Sequence, residues 1–112
     1  MTIRSPFFVA AMGLMLGLSG WIPDAGAAET VMDQNGLKFI PTTLTINAGD
    51  SVRFENHDPF THDVTVTGPD GASIDKGIQQ HGKDNVVAFA KQGTFKITCK
   101  FHPLMTATVI VK

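Results

Sequence analysis

The segment Cys99-Lys100-Phe101-His102-Pro103-Leu104-Met105 places a thiolate, an imidazole and a thioether within seven residues, and Cys99 is the only cysteine in the chain. A soft thiolate and thioether beside an imidazole suit an ion held both as Cu(I) and as Cu(II). Met then serves as the weak axial donor, and one further His is required. Three other histidines are available. His62 precedes the alternating Val64 and Val66, whereas His57 lies in the polar turn Asn56-His57-Asp58-Pro59 and His81 in the Gly-rich stretch Gln79-Gln80-His81-Gly82. The strand-end position makes His62 the expected fourth ligand and leaves His57 and His81 as solvated loop residues.

Other uses of these residues fit less well. A lone Cys is commonly a small buried hydrophobe, but His102 three residues later and Met105 three after that let one compact loop wrap three donors around an ion. Pro103 narrows the loop further by fixing its own φ and biasing His102 toward extended backbone. A closed zinc site wants four strong donors and has little use for a thioether. A Cys–His nucleophilic pair lacks an orienting group and an oxyanion donor, and the chain leaves little room for a substrate cleft. An enzyme is therefore not expected.

The elements that must position these donors read as short alternating segments punctuated by Gly, Pro, Asn and Asp, the signature of antiparallel strands. Strands are expected at 36–40, 42–47, 51–56, 63–67, 86–90, 94–99 and 106–112, with no helix of useful length. About seven short strands imply an all-β sandwich. Asn47-Ala48-Gly49-Asp50 and Lys91-Gln92-Gly93 are expected to be hairpin turns. Residues 68–85 carry four Gly and form a long connection with room for at most a short strand. Alternation puts Phe95, Ile97 and Cys99 on one face and aligns Val64 and Val66 with His62. Both ligands then point inward at strand ends.

At the amino terminus, Arg4, the apolar stretch from Phe7 to Leu18 and the small residues Ala25-Gly26-Ala27-Ala28 read as a secretory signal over residues 1–28. The apolar stretch is shorter than the roughly 20 residues that span a bilayer. Cleavage is expected after Ala28 or after Ala27, leaving a single domain over 29–112 that is soluble in the periplasm and needs no membrane. Arg4 and Asp24 cancel, so the net charge of −1 persists without the signal. No basic block exists to neutralise phosphates, which excludes nucleic acid as a partner. Export also sharpens the reading of Cys99: a single thiol forms no internal bridge in an oxidising compartment, whereas a metal-bound thiolate is chemically occupied.

The segments Phe39-Ile40-Pro41, Leu44-Thr45-Ile46 with Gly49-Asp50, Val52-Arg53-Phe54-Glu55-Asn56, His62-Asp63-Val64, and Cys99 to Met105 with Ala107 together resemble a cupredoxin. The similarity is greatest to the plastocyanin and amicyanin group, including the plastocyanin-like methylamine utilisation proteins, and it covers nearly all of 29–112. It implies a Greek-key β-sandwich with His62, Cys99 and His102 as trigonal copper ligands and Met105 as the axial one. It further implies one-electron transfer in the periplasm by a monomer that meets redox partners briefly, such as a cytochrome or a dehydrogenase. A copper carrier or copper-tolerance protein would use the same ligands. The chain departs from the family pattern at Asp63, where an Asn is usual: an ionised carboxylate accepts hydrogen bonds but donates none.

Overall fold

The computed structural model describes residues 27–112, so the segment read as a signal lies outside the described residues except for its last two. Among the described residues nine strands are present: β1 (Glu29–Gln34), β2 (Phe39–Ile40), β3 (Thr43–Ile46), β4 (Ser51–Asn56), β5 (His62–Thr67), β6 (Ser73–Gln79), β7 (Asp84–Ala88), β8 (Gly93–Thr98) and β9 (Thr106–Val111). They form a four-stranded sheet in the order β2-β1-β4-β7 and a five-stranded sheet in the order β3-β9-β8-β5-β6. The described residues contain no helix long and apolar enough to cross a membrane.

The core lies between the sheets and follows the alternation of the strands. Val52 and Phe54 on β4, Val64 on β5, Ile97 on β8 and Val109 on β9 are fully buried, together with Met32 and Phe39. Phe39 and Phe54 meet edge to face, ring centroids 6.2 Å apart, which adds a geometric preference to their burial.

The all-β sandwich matches expectation, with differences that have physical causes. Strand β1 was not expected, and β6 is a seven-residue strand where at most a short one was expected. β6 is an edge strand whose residues are mostly exposed, and Gly77 interrupts it at φ 101°; without a buried face it carries no period-two signal. β1 supplies only Met32 and Gln34 to the interior. The strand expected from Gly36 shortens to β2, because residues 35–38 form a turn with Gly36 and Leu37 both at positive φ. The sheets are mixed: β1 runs parallel to β4 and β3 parallel to β9. Neither expected hairpin is one. Asn47–Asp50 carries the chain from β3 in one sheet to β4 in the other, and residues 89–92 carry it from β7 back to β8. Turn residues report a change of direction, not which strands pair.

Phe54→Ala should cost about 3–5 kcal/mol of stability, because the fully buried ring leaves a cavity beside Phe39. Denaturant titration of the metal-free protein measures the loss.

Candidate metal centre

The antiparallel pairing of β5 with β8, in the register Thr65↔Thr98 and Val66↔Ile97, sets the first residue of β5 beside the end of β8. His62 opens β5, and Cys99 directly follows β8. Both side chains turn inward as their strands' alternation requires, His62 at 0% and Cys99 at 2% exposure. Beyond Cys99 the chain makes two successive tight turns, His102 N donating to Cys99 O at 3.2 Å and Met105 N to His102 O at 2.9 Å. The spacing of three between the donors is the span of those turns. Met105 is buried at the far end of the loop.

His62 Nδ1 stands 3.9 Å from Cys99 Sγ. The rings of His62 and His102 lie 5.0 Å apart and nearly perpendicular, and one donor atom from each of His62, Cys99 and His102 falls within 4.8 Å of the others. His102 is half-buried, and its Nε2 is buried without a hydrogen-bond partner. A thiolate, two imidazoles with uncommitted nitrogens and a buried thioether on the same loop make a donor set that fits copper. His57 and His81 stand outside this group. His57 is half-exposed and pairs with Asp33, which raises its pKa through their hydrogen bond and opposite charge. His81 Nδ1 is 2.8 Å from the Asp58 carbonyl and can donate to it.

Two acidic residues border this group. Asp58 Oδ2 lies 2.8 Å from His62 Nε2. Burial works against the charge of Asp58, but hydrogen bonds from His62 and from the amides of Leu37 and Gly36 hold its pKa below the usual carboxylate value. Asp63 is fully buried; its amide points at Cys99 Sγ, 3.4 Å away, and its Oδ1 accepts from Lys100 N at 3.1 Å and Thr65 Oγ1 at 2.9 Å. Burial, and after it the facing Asp75, pushes Asp63 above the usual range. Asp75, which faces Asp63 and pairs with Lys100, is held below it. Sequence reasoning singled out Asp63 but missed Asp58. Asp58-Pro59, four residues before His62, reads as ordinary turn chemistry, and nothing in that pattern shows where its carboxylate points.

A family profile described as a cupredoxin-like domain matches residues 8–111. The methylamine utilization protein MauL of Methylophilus methylotrophus is 32% identical over 77 residues, covering 66% of this chain and 44% of that protein. The chloroplastic plastocyanin of Silene latifolia subsp. alba is 29% identical over 105 residues, covering 83% and 60%. The chain thus spans about half the length of these two relatives. Amicyanin-alpha of Methylorubrum extorquens is 26% identical over 109 residues, covering 94% and 90%. The crystal structure of amicyanin from Paracoccus versutus shares the fold, with a TM-score of 0.69 at 22% identity over 81% of this chain and 85% of that one.

The raised pKa of Asp63 sets a sign. Its contribution to stability is present below the unfolded carboxylate value and is lost as pH rises through the folded one. An amide at this position keeps the acceptor for Lys100 N and adds a donor toward Asp75. Asp63→Asn should therefore stabilise the metal-free protein by about 1 kcal/mol at pH 7, the gain shrinking as pH falls and Asp63 itself takes up a proton. Denaturant titrations at several pH values read the trend.

Proposed function

The chain belongs to the cupredoxin-like family, and on that premise we propose that it is an exported one-electron carrier that would hold one copper ion through His62, Cys99, His102 and Met105. The observation that carries this reading is the convergence of His62 Nδ1, Cys99 Sγ and a His102 nitrogen within 4.8 Å of one another in a largely buried site. Copper bound there supplies the Cu(I)/Cu(II) couple.

The protein's part is to keep the donors still while charge changes. The β5–β8 pairing, the Asp63 amide directed at Cys99 Sγ and the two loop turns fix three of the donors before any ion arrives, so little rearrangement opposes electron transfer. His102 is the most exposed of the three converging ligands and the natural point of entry and exit. Its ring meets Phe60 edge-on at 6.5 Å. Phe60 is exposed beside His102, and the exposed Phe101, Pro103 and Leu104, the last 97% exposed, flank His102 in the chain and offer apolar surface there. Such a surface suits brief contact with a redox protein, a periplasmic cytochrome or dehydrogenase. The working form is the single domain left in the periplasm once the signal is cut away after Ala28 or Ala27.

A copper carrier would use the same ligands but must release its ion. Buried ligands tied to two strands and a doubly turned loop favour retention, and hence the shuttle.

The purified exported domain loaded with Cu(II) should show an intense thiolate-to-copper band in the visible spectrum and a matching EPR signal, both lost in Cys99→Ala and His62→Ala. The absence of Tyr and Trp from this segment keeps protein absorbance near 280 nm weak. No band in the unmodified protein overturns the site assignment. Rapid electron exchange with a cytochrome while copper stays bound supports the shuttle, whereas slow exchange with ready release supports the carrier.

A further inference from the structure

We propose that Asp58 is a positioning residue for His62, and that it ties the metal centre to the turn at residues 35–38; this rests on His62 being a ligand. Asp58 is 2% exposed, and each of its polar groups is engaged. Oδ1 accepts from Gly36 N at 2.7 Å, and Oδ2 accepts from Leu37 N at 2.9 Å and meets His62 Nε2 at 2.8 Å. Its amide donates to Asn56 Oδ1, and its carbonyl faces His81 Nδ1. An ionised carboxylate only accepts, so His62 must carry its proton on Nε2. That leaves the lone pair on Nδ1, the nitrogen facing Cys99 Sγ. The ring is thereby set in tautomer and direction before an ion binds.

The turn explains how a carboxylate persists in this place. Leu37 holds φ 60°, rare for a residue with a side chain, directly after Gly36 at 65°. Two consecutive residues at positive φ aim neighbouring amides at one anion, and those amides offset the loss of water around the charge. A carboxylate bonded to a ligand imidazole also makes it a stronger donor and favours the more highly charged ion.

The test uses Asp58→Asn and Asp58→Ala beside the unmodified protein. In the metal-free unmodified protein, ¹⁵N spectra of the histidines should show His62 protonated on Nε2 alone; protonation on Nδ1 overturns the proposal whether or not the variants fold. In the variants the tautomers should mix, and amide exchange at Gly36 and Leu37 should quicken by at least about tenfold. Cu(I) affinity, read by competition with a chromophoric chelator, should fall about 10- to 100-fold, and the reduction potential should rise. Unchanged tautomer, affinity and potential sink the idea. Failure of copper binding in the unmodified protein strikes the metal reading instead, while the tautomer and exchange measurements still test Asp58.

A different observation carries a second inference: the mature chain begins at Ala28. Ala28 N donates to Oδ1 of the buried Asp50 at 2.9 Å, and Ser51 N donates to Ala28 O at 2.9 Å. A chain beginning at Glu29 would lack both partners. One beginning at Ala28 would place its terminal ammonium on the Asp50 carboxylate, and Ala25-Gly26-Ala27 supplies small residues for the preceding cut. Water adds across the Ala27–Ala28 bond under the export protease, leaving a carboxyl on Ala27 and an amine on Ala28. Amino-terminal sequencing of the exported protein should read Ala-Glu-Thr. A start at Glu29, or a chain made from Glu29 that unfolds no more readily than one from Ala28, overturns it.

Discussion

The site depends on one strand pairing. β5 and β8 are neighbours in the five-stranded sheet, antiparallel, in a register that sets His62 beside the residues following β8. Slipping that register by one residue would reverse which side chains face inward, sending Cys99 or His62 to solvent. The pairing is reinforced where it ends: the Asp63 amide points at Cys99 Sγ, and Lys100 N donates back to Asp63 Oδ1. Residue 63 therefore stitches the segments bearing His62 and Cys99 together through both its backbone and its side chain.

Beside this stitch lies a buried polar network that holds the ligand end of the sandwich in shape. Gln34 Nε2 donates to Gln79 Oε1, and Gln79 Nε2 donates to the carbonyls of Phe54 and Lys83. Asn56 Nδ2 donates to the carbonyls of Phe60 and Gln79. The network joins β1, β4, β6 and the loop that carries Asp58 and Phe60. Buried amides are costly unless partnered, so the arrangement favours the single loop geometry that partners them. It also gives the weakly patterned edge strand β6 a purpose, since Gln79 at its end is 1% exposed.

The electrostatics divide between two carboxylates near His62. Asp58 stays ionised because the amides of Gly36 and Leu37 and the imidazole of His62 solvate it. Asp63 is driven toward its neutral form by burial and by Asp75, which takes the charge and pairs with Lys100 at 2.9 Å.

Much of the fold and most of the donor cluster were legible in the residues themselves. Cys99, His102 and Met105 are joined by a loop of two tight turns, so their spacing in sequence is nearly their arrangement in space, and Val64, Val66, Ile97 and Cys99 face inward as strand alternation requires. β1 carries no expectation and β6 only that of a short strand, because an edge strand or a half-polar strand has no alternating pattern to betray it.

Local geometry alone thus determined which residues offer donors, which way they point along their strands, and how the ligand loop closes. Only the tertiary structure decided which strands pair, that the turns at 47–50 and 89–92 cross between sheets instead of closing hairpins, and that Asp58 meets His62 while accepting from a turn more than twenty residues earlier. Those contacts join residues distant in the chain, and a carboxylate in a polar turn has the same local pattern whether it faces water or a buried imidazole.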